Sequence, residues 1–144
     1  MDLQNLYFLR ESKDLTQNDI AKLFNVTREA VSQWENNKFS ISLEKLNMYS
    51  NYFETSIDYI VKISKKNNYN SIRKDLDAHL IGKRLKEIRK KFHISQMALA
   101  KELHTTQSTI SAYESGKVMI LTCFAYQICK NYSISMDWLC GKID

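Results

Sequence analysis

Three histidines and three cysteines are the side chains of this chain best suited to hold a metal or drive covalent chemistry: His79, His93, His104, Cys123, Cys129 and Cys140. Their spacing suits neither task. The histidines form no HExxH or HxxxH pair on a helix face. Cys123 and Cys129, six apart, fall on different faces of a helix and make no chelating pair. No phosphate-cradling GxxxxGK[ST] loop, GxGxxG turn or GxSxG elbow occurs anywhere in the chain. The expectation is therefore no enzyme, no metal and no cofactor. The histidines read as turn and surface residues. The cysteines, odd in number and without a CxxC pair, read as small reduced core residues. The remaining chemistry is that of charge, 21 Lys and Arg against 16 Asp and Glu, for a net +5. That excess makes a polyanionic partner plausible without establishing one.

The elements that must position these charges are helical by composition. Proline is absent and glycine occurs only three times, so the punctuation of a sheet-rich fold is missing. With 144 residues and 44% hydrophobic content, the chain can build one ordinary core or two small ones. No apolar run approaches the roughly 20 residues of a membrane-spanning helix. The N-terminus lacks the basic flank and apolar stretch of a secretory signal, so no membrane association and a cytoplasmic location are expected.

The chain matches itself without gaps at an offset of 79 residues. Leu6, Arg10, Gln17, Ala21, Lys22, Thr27, Ser32, Glu35, Lys38, Ile41, Ser56 and Asp58 recur as Leu85, Arg89, Gln96, Ala100, Lys101, Thr106, Ser111, Glu114, Lys117, Ile120, Ser135 and Asp137. Val31/Ile110, Trp34/Tyr113 and Tyr59/Trp138 are among the conservative pairs. Most pairs are apolar, so each copy should build its own core. The organisation expected is a first domain over 1–63, a linker over 64–79 and a second domain over 80–144. Their charges differ: 7 basic and 9 acidic residues in the first, 4 and 2 in the linker, 10 and 5 in the second.

Within each copy the start signals are legible. Thr16 precedes an apolar-periodic stretch as an N-cap, with Asp19 placed to complete a capping box. Asn25 and His104 tolerate the left-handed conformation of a tight turn. Thr27 and Thr106 then cap a third helix. Ser42 to Phe53 reads as a fourth helix, and Ser56 and Ser135 cap a fifth. From Ser71 the three-to-four spacing of Ile72, Leu76, Leu80 or Ile81, Leu85, Ile88 and Phe92 predicts one helix over about 72–91, with Gly82 a weak point inside it.

This succession resembles the Cro/CI-type (XRE family) helix-turn-helix domain, twice over. The resemblance rests on Arg10, Thr16-Gln17, Ile20-Ala21, Phe24, Val26-Thr27, Val31-Ser32, Trp34-Glu35 and Lys38, and on Arg89, Ser95-Gln96, Leu99-Ala100, Leu103, Thr105-Thr106, Ile110-Ser111, Tyr113-Glu114 and Lys117. It covers about four fifths of the chain. Copy one departs by Asn37 where copy two has Gly116, and both copies have isoleucine (Ile41, Ile120) where the family commonly has proline. The fold class implied is all-α, two tandem five-helix lambda-repressor-like domains joined by a short, partly helical linker.

The resemblance further implies that the third helix of each copy enters the major groove of double-stranded DNA. The base-reading positions are then Arg28, Glu29 and Gln33 in copy one and Gln107, Ser108 and Ala112 in copy two. Arg28 suits guanine, Gln33 and Gln107 adenine, Glu29 cytosine N4, and Ala112 at most a thymine methyl, so the two half-sites should differ. Phosphate contacts are expected of Gln17, Thr27, Asn36, Lys38, Gln96, Thr106, Ser115 and Lys117. By the same resemblance, Arg10 with Glu35 and Arg89 with Glu114 are structural salt bridges rather than DNA contacts. Lys83, Arg84, Lys86, Lys90 and Lys91 read first as a solvated helix face and second as a source of nonspecific DNA affinity.

The function expected is a sequence-specific transcriptional regulator, a repressor, built as a covalent pseudo-dimer spanning adjacent major grooves. Members of the family also pair to read palindromes, which leaves homodimerisation open. The alternative, from another class, gives DNA to one copy and a protein partner to the other, as in an antitoxin, a phage regulator or an inhibitor. The net negative charge of copy one favours that alternative, and Arg28, Gln33 and Lys38 oppose it.

Overall fold

The computed structural model describes all 144 residues, Met1–Asp144. It is all-helical and forms two compact units, Met1–Asn70 and Ser71–Asp144. Unit 1 contains α1 (Gln4–Ser12), α2 (Gln17–Phe24), α3 (Arg28–Glu35), α4 (Leu43–Tyr52) and α5 (Ile57–Ile60). Unit 2 repeats the order as α6 (Ala78–Lys91), α7 (Gln96–Glu102), α8 (Gln107–Glu114), α9 (Thr122–Tyr132) and α10 (Met136–Leu139). No helix is long and apolar enough to cross a membrane.

Side-chain caps start most of these helices, because the first turn has N–H groups without intrahelical acceptors. The Thr16 hydroxyl accepts from Asp19 N at 3.1 Å, and the Asp19 carboxylate accepts from Thr16 N at 2.8 Å, completing the capping box. Thr27, Ser42 and Ser56 cap α3, α4 and α5 in the same way. Ser95, Thr106 and Ser135 do so for α7, α8 and α10. Asn25 and His104 adopt φ of 53° and 57°, the left-handed conformation that turns the chain from the second helix of each unit into the third.

The cores are equivalent in position and different in content. Unit 1 buries Leu6, Ile20, Val31, Leu46 and Ile57 around an aromatic cluster. Its centre, Tyr49, meets Phe24 edge-on at 4.7 Å between centroids and stacks on Phe53 at 6.1 Å. Unit 2 places Ala125, Ile128 and Leu103 where unit 1 has Leu46, Tyr49 and Phe24, and all three are buried. Trp34 and Tyr113 are buried, whereas Trp138 is half-buried beneath the Arg84 guanidinium, 4.9 Å from its ring. Cys129 and Cys140 lie in the unit 2 core and Cys123 is half-buried.

The helix expected over 72–91 begins instead at Ala78. Asp77 is its N-cap, accepting from His79 N at 2.9 Å and Leu80 N at 3.4 Å. The residues before it are held outside the helix: Ile72 N donates to Lys142 O at 2.8 Å, and Arg73 binds Gly141 O and the Asp144 carboxylate. Ile72 itself is 55% exposed, so its place in the apolar spacing was fortuitous.

The start of the first helix is docked differently in the two units. In unit 1, Leu3 N donates to the Asn37 side chain at 2.8 Å, and Asn5 Nδ2 donates to Tyr59 O at 2.9 Å. In unit 2 the residue equivalent to Leu3 is Gly82, and the backbone of α6 lies directly on the end of α8. A methyl group on Gly82 would overlap Tyr113 O and lie 2.6 Å from Glu114 O. Gly116, at φ 77°, takes the place of Asn37 and lies against His79. Arg84 takes the place of Asn5 and donates to Trp138 O and to Ile143 O. Arg84 is therefore a buried structural residue and leaves the group of basic side chains read as a solvated face.

Lys142 is only 1% exposed, and burial lowers its ammonium pKa to about 8, against the opposing pull of Asp137. The fold prefers the neutral amine, so between about pH 8 and the ordinary lysine value the unfolded chain holds the extra proton and stability rises with pH. Below pH 8 the full penalty applies. Lys142→Met is accordingly expected to raise the Tm of unit 2 at pH 7, with an advantage over wild type that shrinks by pH 10. Calorimetry across that range checks it, and an advantage independent of pH would refute the assignment.

Candidate nucleic-acid interface

The third helix of each unit presents one face to its core and the opposite face to solvent. Val31 and Trp34 of α3, and Ile110 and Tyr113 of α8, face inward. Arg28 and Glu29 are exposed and Gln33 is half-buried; Gln107 and Ser108 are exposed and Ala112 is half-buried. The helices are held at this angle by a buried ion pair in each unit. Arg10 Nε and Nη2 donate to the two Glu35 oxygens at 2.8 and 2.9 Å, and Arg89 makes the same fork to Glu114 at 2.7 and 3.0 Å. Arg10 also donates to Leu15 O, and Arg89 to Ile94 O, so each guanidinium ties the first helix, the turn after it and the third helix together. The hydrogen bonds to the carboxylates raise both guanidinium pKa values above their ordinary value. The Glu35 and Glu114 side chains are 4% and 5% exposed, so the carboxylates are closed to solvent, whereas Arg10 reaches the edge of the unit 1 hollow and the Arg89 side chain is 15% exposed.

The same carboxylates orient the residue that opens the second helix. Gln17 Nε2 donates to Glu35 at 3.3 Å and Gln96 Nε2 to Glu114 at 3.2 Å. In each unit the chain of contacts thus runs from first helix to third helix to the N-terminus of the second, where exposed N–H groups and the glutamine amide lie side by side. Such an end favours anions through its donors and its dipole.

In unit 2 these groups converge. Gln96, Gln107, Ser108, Ser111, Ala112, Ser115 and Lys117 line one open concavity of about 380 Å³. It gathers three side chains expected at bases and three expected at phosphates. Thr106 lies outside it, capping α8 through its hydroxyl, and Ser115 hydrogen-bonds back to Ala112 O. Ser111, a repeat position matching Ser32, is not among the DNA contacts expected from the sequence. Its spacing, four after Gln107 and four before Ser115, was the signal that placed it on the same face.

Unit 1 is arranged otherwise. Its hollow of about 480 Å³ brings Gln17 and Arg28 together with Glu11, Asp14, Thr16 and Asn18, while Gln33, Asn36 and Lys38 lie outside it. Asn36 turns its amide back onto Ser32 O at 2.9 Å, and Lys38 is exposed. Asp19, its carboxyl held below the usual range by the hydrogen bonds from Thr16, adds a negative charge at the N-terminus of α2. The residues equivalent to Glu11, Asp14, Asp19 and Glu29 are Lys90, His93, Ala98 and Ser108. Glu11 and Asp14 thus share the hollow with Arg28, Asp19 and Glu29 add carboxylates to α2 and α3, and unit 2 replaces each of the four with a basic or neutral residue.

Comparison with known proteins matches residues 6–60 to a family model described as helix-turn-helix, and residues 82–144 to one described as helix-turn-helix domain. A stretch of 58 residues, 40% of this chain, is 36% identical to the HTH-type transcriptional activator BcrR of Enterococcus faecalis. That stretch spans only 28% of the relative. No solved structure matches. With one model satisfied in each compact unit, the chain belongs to the helix-turn-helix proteins and carries the domain twice, the first copy being of the XRE type.

Proposed function

We propose that the protein is a sequence-specific double-stranded DNA-binding regulator of transcription whose α3 and α8 enter the major groove. The observation that carries this reading is the polar concavity of unit 2, where Gln96 and Lys117 flank the exposed face of α8. Lys117 and the N-terminus of α7 are placed to bind phosphates on either side of a groove read by Gln107 and Ser108. Arg28, Glu29 and Gln33 read the second half-site, with Gln17, Thr27, Asn36 and Lys38 on its backbone. The Glu35 and Glu114 carboxylates preset the two glutamine amides before DNA arrives, which lowers the ordering cost of binding.

We infer repression as the sign of regulation in the cytoplasm, since occlusion of a promoter needs only occupancy by the two heads. The name of the Enterococcus faecalis relative favours activation, and a reporter gene behind the selected site distinguishes the two. The second reading assigns unit 1 to a protein partner. Glu11, Asp14, Asp19 and Glu29 favour it, because they repel phosphates where unit 2 offers Lys90 and His93. Homodimerisation on a palindromic site is compatible with the first reading.

Selection from a random duplex pool tests both. Wild type is expected to enrich two motifs at fixed spacing. Arg28→Ala should degrade one and Gln107→Ala the other, each lowering affinity roughly 5- to 150-fold, the effect of losing about 1–3 kcal/mol of base discrimination. Lys117→Ala should weaken all sequences alike and reduce the salt dependence by about one phosphate contact. A single motif indifferent to Arg28→Ala would move unit 1 to the protein-partner reading, and no enrichment at all would refute DNA recognition.

A further inference from the structure

Among residues 64–77, between α5 and α6, only Tyr69, Ile72 and Leu76 are apolar or aromatic, and none of the stretch is helical. By composition it is a solvated tether. A free chain of that length has a root-mean-square span of roughly 20 Å and reaches roughly 50 Å when fully extended. Its hydrogen bonds give it a different character, because one half is fastened to unit 1 and the other half to unit 2.

On the unit 1 side the fastening is Asn67. Its Oδ1 accepts from Ser56 N at 2.9 Å and its Nδ2 donates to Glu54 O at 3.1 Å, so one amide spans the turn between α4 and α5. Tyr69 N donates to the same Oδ1 at 3.1 Å. Thr55 and Ser56 at that turn are only 2% and 4% exposed, which keeps water from competing for these bonds. On the unit 2 side the fastening is Arg73 and the residue before it. Ile72 N donates to Lys142 O at 2.8 Å, and the Arg73 guanidinium donates to Gly141 O at 3.1 Å and to the Asp144 carboxylate at 2.9 Å. Ser71 Oγ donates to Arg73 O at 2.7 Å and stiffens this half. Between Tyr69, the last residue fastened to unit 1, and Ile72, the first fastened to unit 2, stand only Asn70 and Ser71. Their extended reach is roughly 7 Å.

We infer that Asn67 and Arg73 are positioning residues that fix the spacing between the two DNA half-sites, an inference that rests on the reading of both units as DNA-binding heads. Neither side chain touches a base; each acts by keeping its half of the chain out of the tether. One added base pair moves a half-site by about 3.4 Å and turns it by roughly 35°. A joint of two residues can follow a shift of one base pair or so, whereas a free tether could follow a whole helical turn. Fastening also confines the second head near its half-site once the first is bound, which raises its effective concentration there. Half-site spacing thereby becomes part of the protein's specificity, and isolated or misplaced copies of either motif are bound only as single sites.

The test measures the affinity of the full chain for duplexes that carry the two selected motifs at the selected spacing, or lengthened by one to ten base pairs, beside duplexes with one motif alone. Wild type should lose about tenfold or more with two added base pairs and fall to its single-motif affinity at ten. The comparison is a triple variant. Asn67→Ala removes the bridge to Ser56 N and Glu54 O, Arg73→Ala removes the guanidinium bonds, and Ile72→Pro removes the N–H that Lys142 O accepts. Asn67 and Ile72 are exposed and Arg73 is half-buried, so neither core is cut. The variant should lose less than about threefold with two added base pairs and still bind about tenfold above its single-motif affinity at ten. Its single-motif affinities should equal those of wild type, which a defect in folding or in either reading head would not allow. In free wild type, amide relaxation should give residues 67, 69, 72 and 73 order parameters near about 0.85. A broad wild-type spacing profile, a variant profile as narrow as wild type, or order parameters below about 0.6 at these residues would overturn the inference and leave the DNA reading standing. Failure of wild type to bind even a single motif would instead refute the DNA reading, and this inference with it.

Discussion

Arg10→Ala is expected to destabilise unit 1 by about 3–5 kcal/mol, the range for removing one partner of a buried ion pair. The loss is large because of what stays behind. Glu35, with a side chain 4% exposed, keeps one hydrogen bond, the 3.3 Å contact from Gln17, and an uncompensated charge. Three elements also lose their common tie, since the same guanidinium binds Leu15 O and two Glu35 oxygens. Urea titration followed by fluorescence in a Trp138→Phe background reads the effect directly, because Trp34 of unit 1 is then the sole tryptophan. The double variant Arg10→Met with Glu35→Leu should recover more than half of the loss, as two apolar groups leave no buried charge unpaired. If the double variant is as unstable as Arg10→Ala, the pair's contribution is packing rather than charge. DNA affinity should follow a separate course: the double variant lacks the carboxylate that presets Gln17 and should bind more weakly than its stability implies.

Gly82→Ala should destabilise unit 2 by roughly 1–3 kcal/mol, the usual cost of overpacking. Its sign is what makes it informative. In an exposed helix interior the same change stabilises by nearly 1 kcal/mol. Here the new methyl would meet Tyr113 O and Glu114 O, backbone atoms at the end of α8 that cannot rotate aside. The helix must lift from α8, and the displacement is felt by Ser115 and Lys117, the residues that follow α8 into the proposed phosphate contacts. Thermal unfolding together with DNA titration should therefore show lost stability and lost affinity in the same variant. An unchanged or raised Tm would mean that α6 is free to slide.

Much of this architecture was legible before any coordinates, because it is written in local signals. Thr16, Thr27, Ser56 and their counterparts act on N–H groups within three residues, and the offset of 79 residues repeats them in register. What escaped was set by contacts distant in sequence. The segment before α6 has helical spacing, yet Ile72 N bonds to Lys142 O across 70 positions, and no periodicity reports that. Arg84 is one of five basic residues on a helix until Trp138 O and Ile143 O claim its guanidinium. The side chains of the candidate interface were readable as types. Their grouping was not, since the turn between α1 and α2 decides that Glu11 and Asp14 share a hollow with Arg28.

The different docking of α1 and α6 bears on how a chain made of two similar halves avoids assembling them wrongly. Tandem copies invite exchange, in which a helix of one half completes the other half's core during folding. Leu3 and Gly82 occupy equivalent positions. Were α1 to enter the place of α6, a leucine side chain would fall where even a methyl collides with Tyr113 O. In the reverse exchange, Gly82 would leave empty the buried site that Leu3 fills, and Arg84 would arrive where the shorter Asn5 reaches Tyr59 O. Divergence at these few positions favours each half's own first helix over its twin's, so the two copies can share their caps and their Arg–Glu ion pairs without exchanging helices.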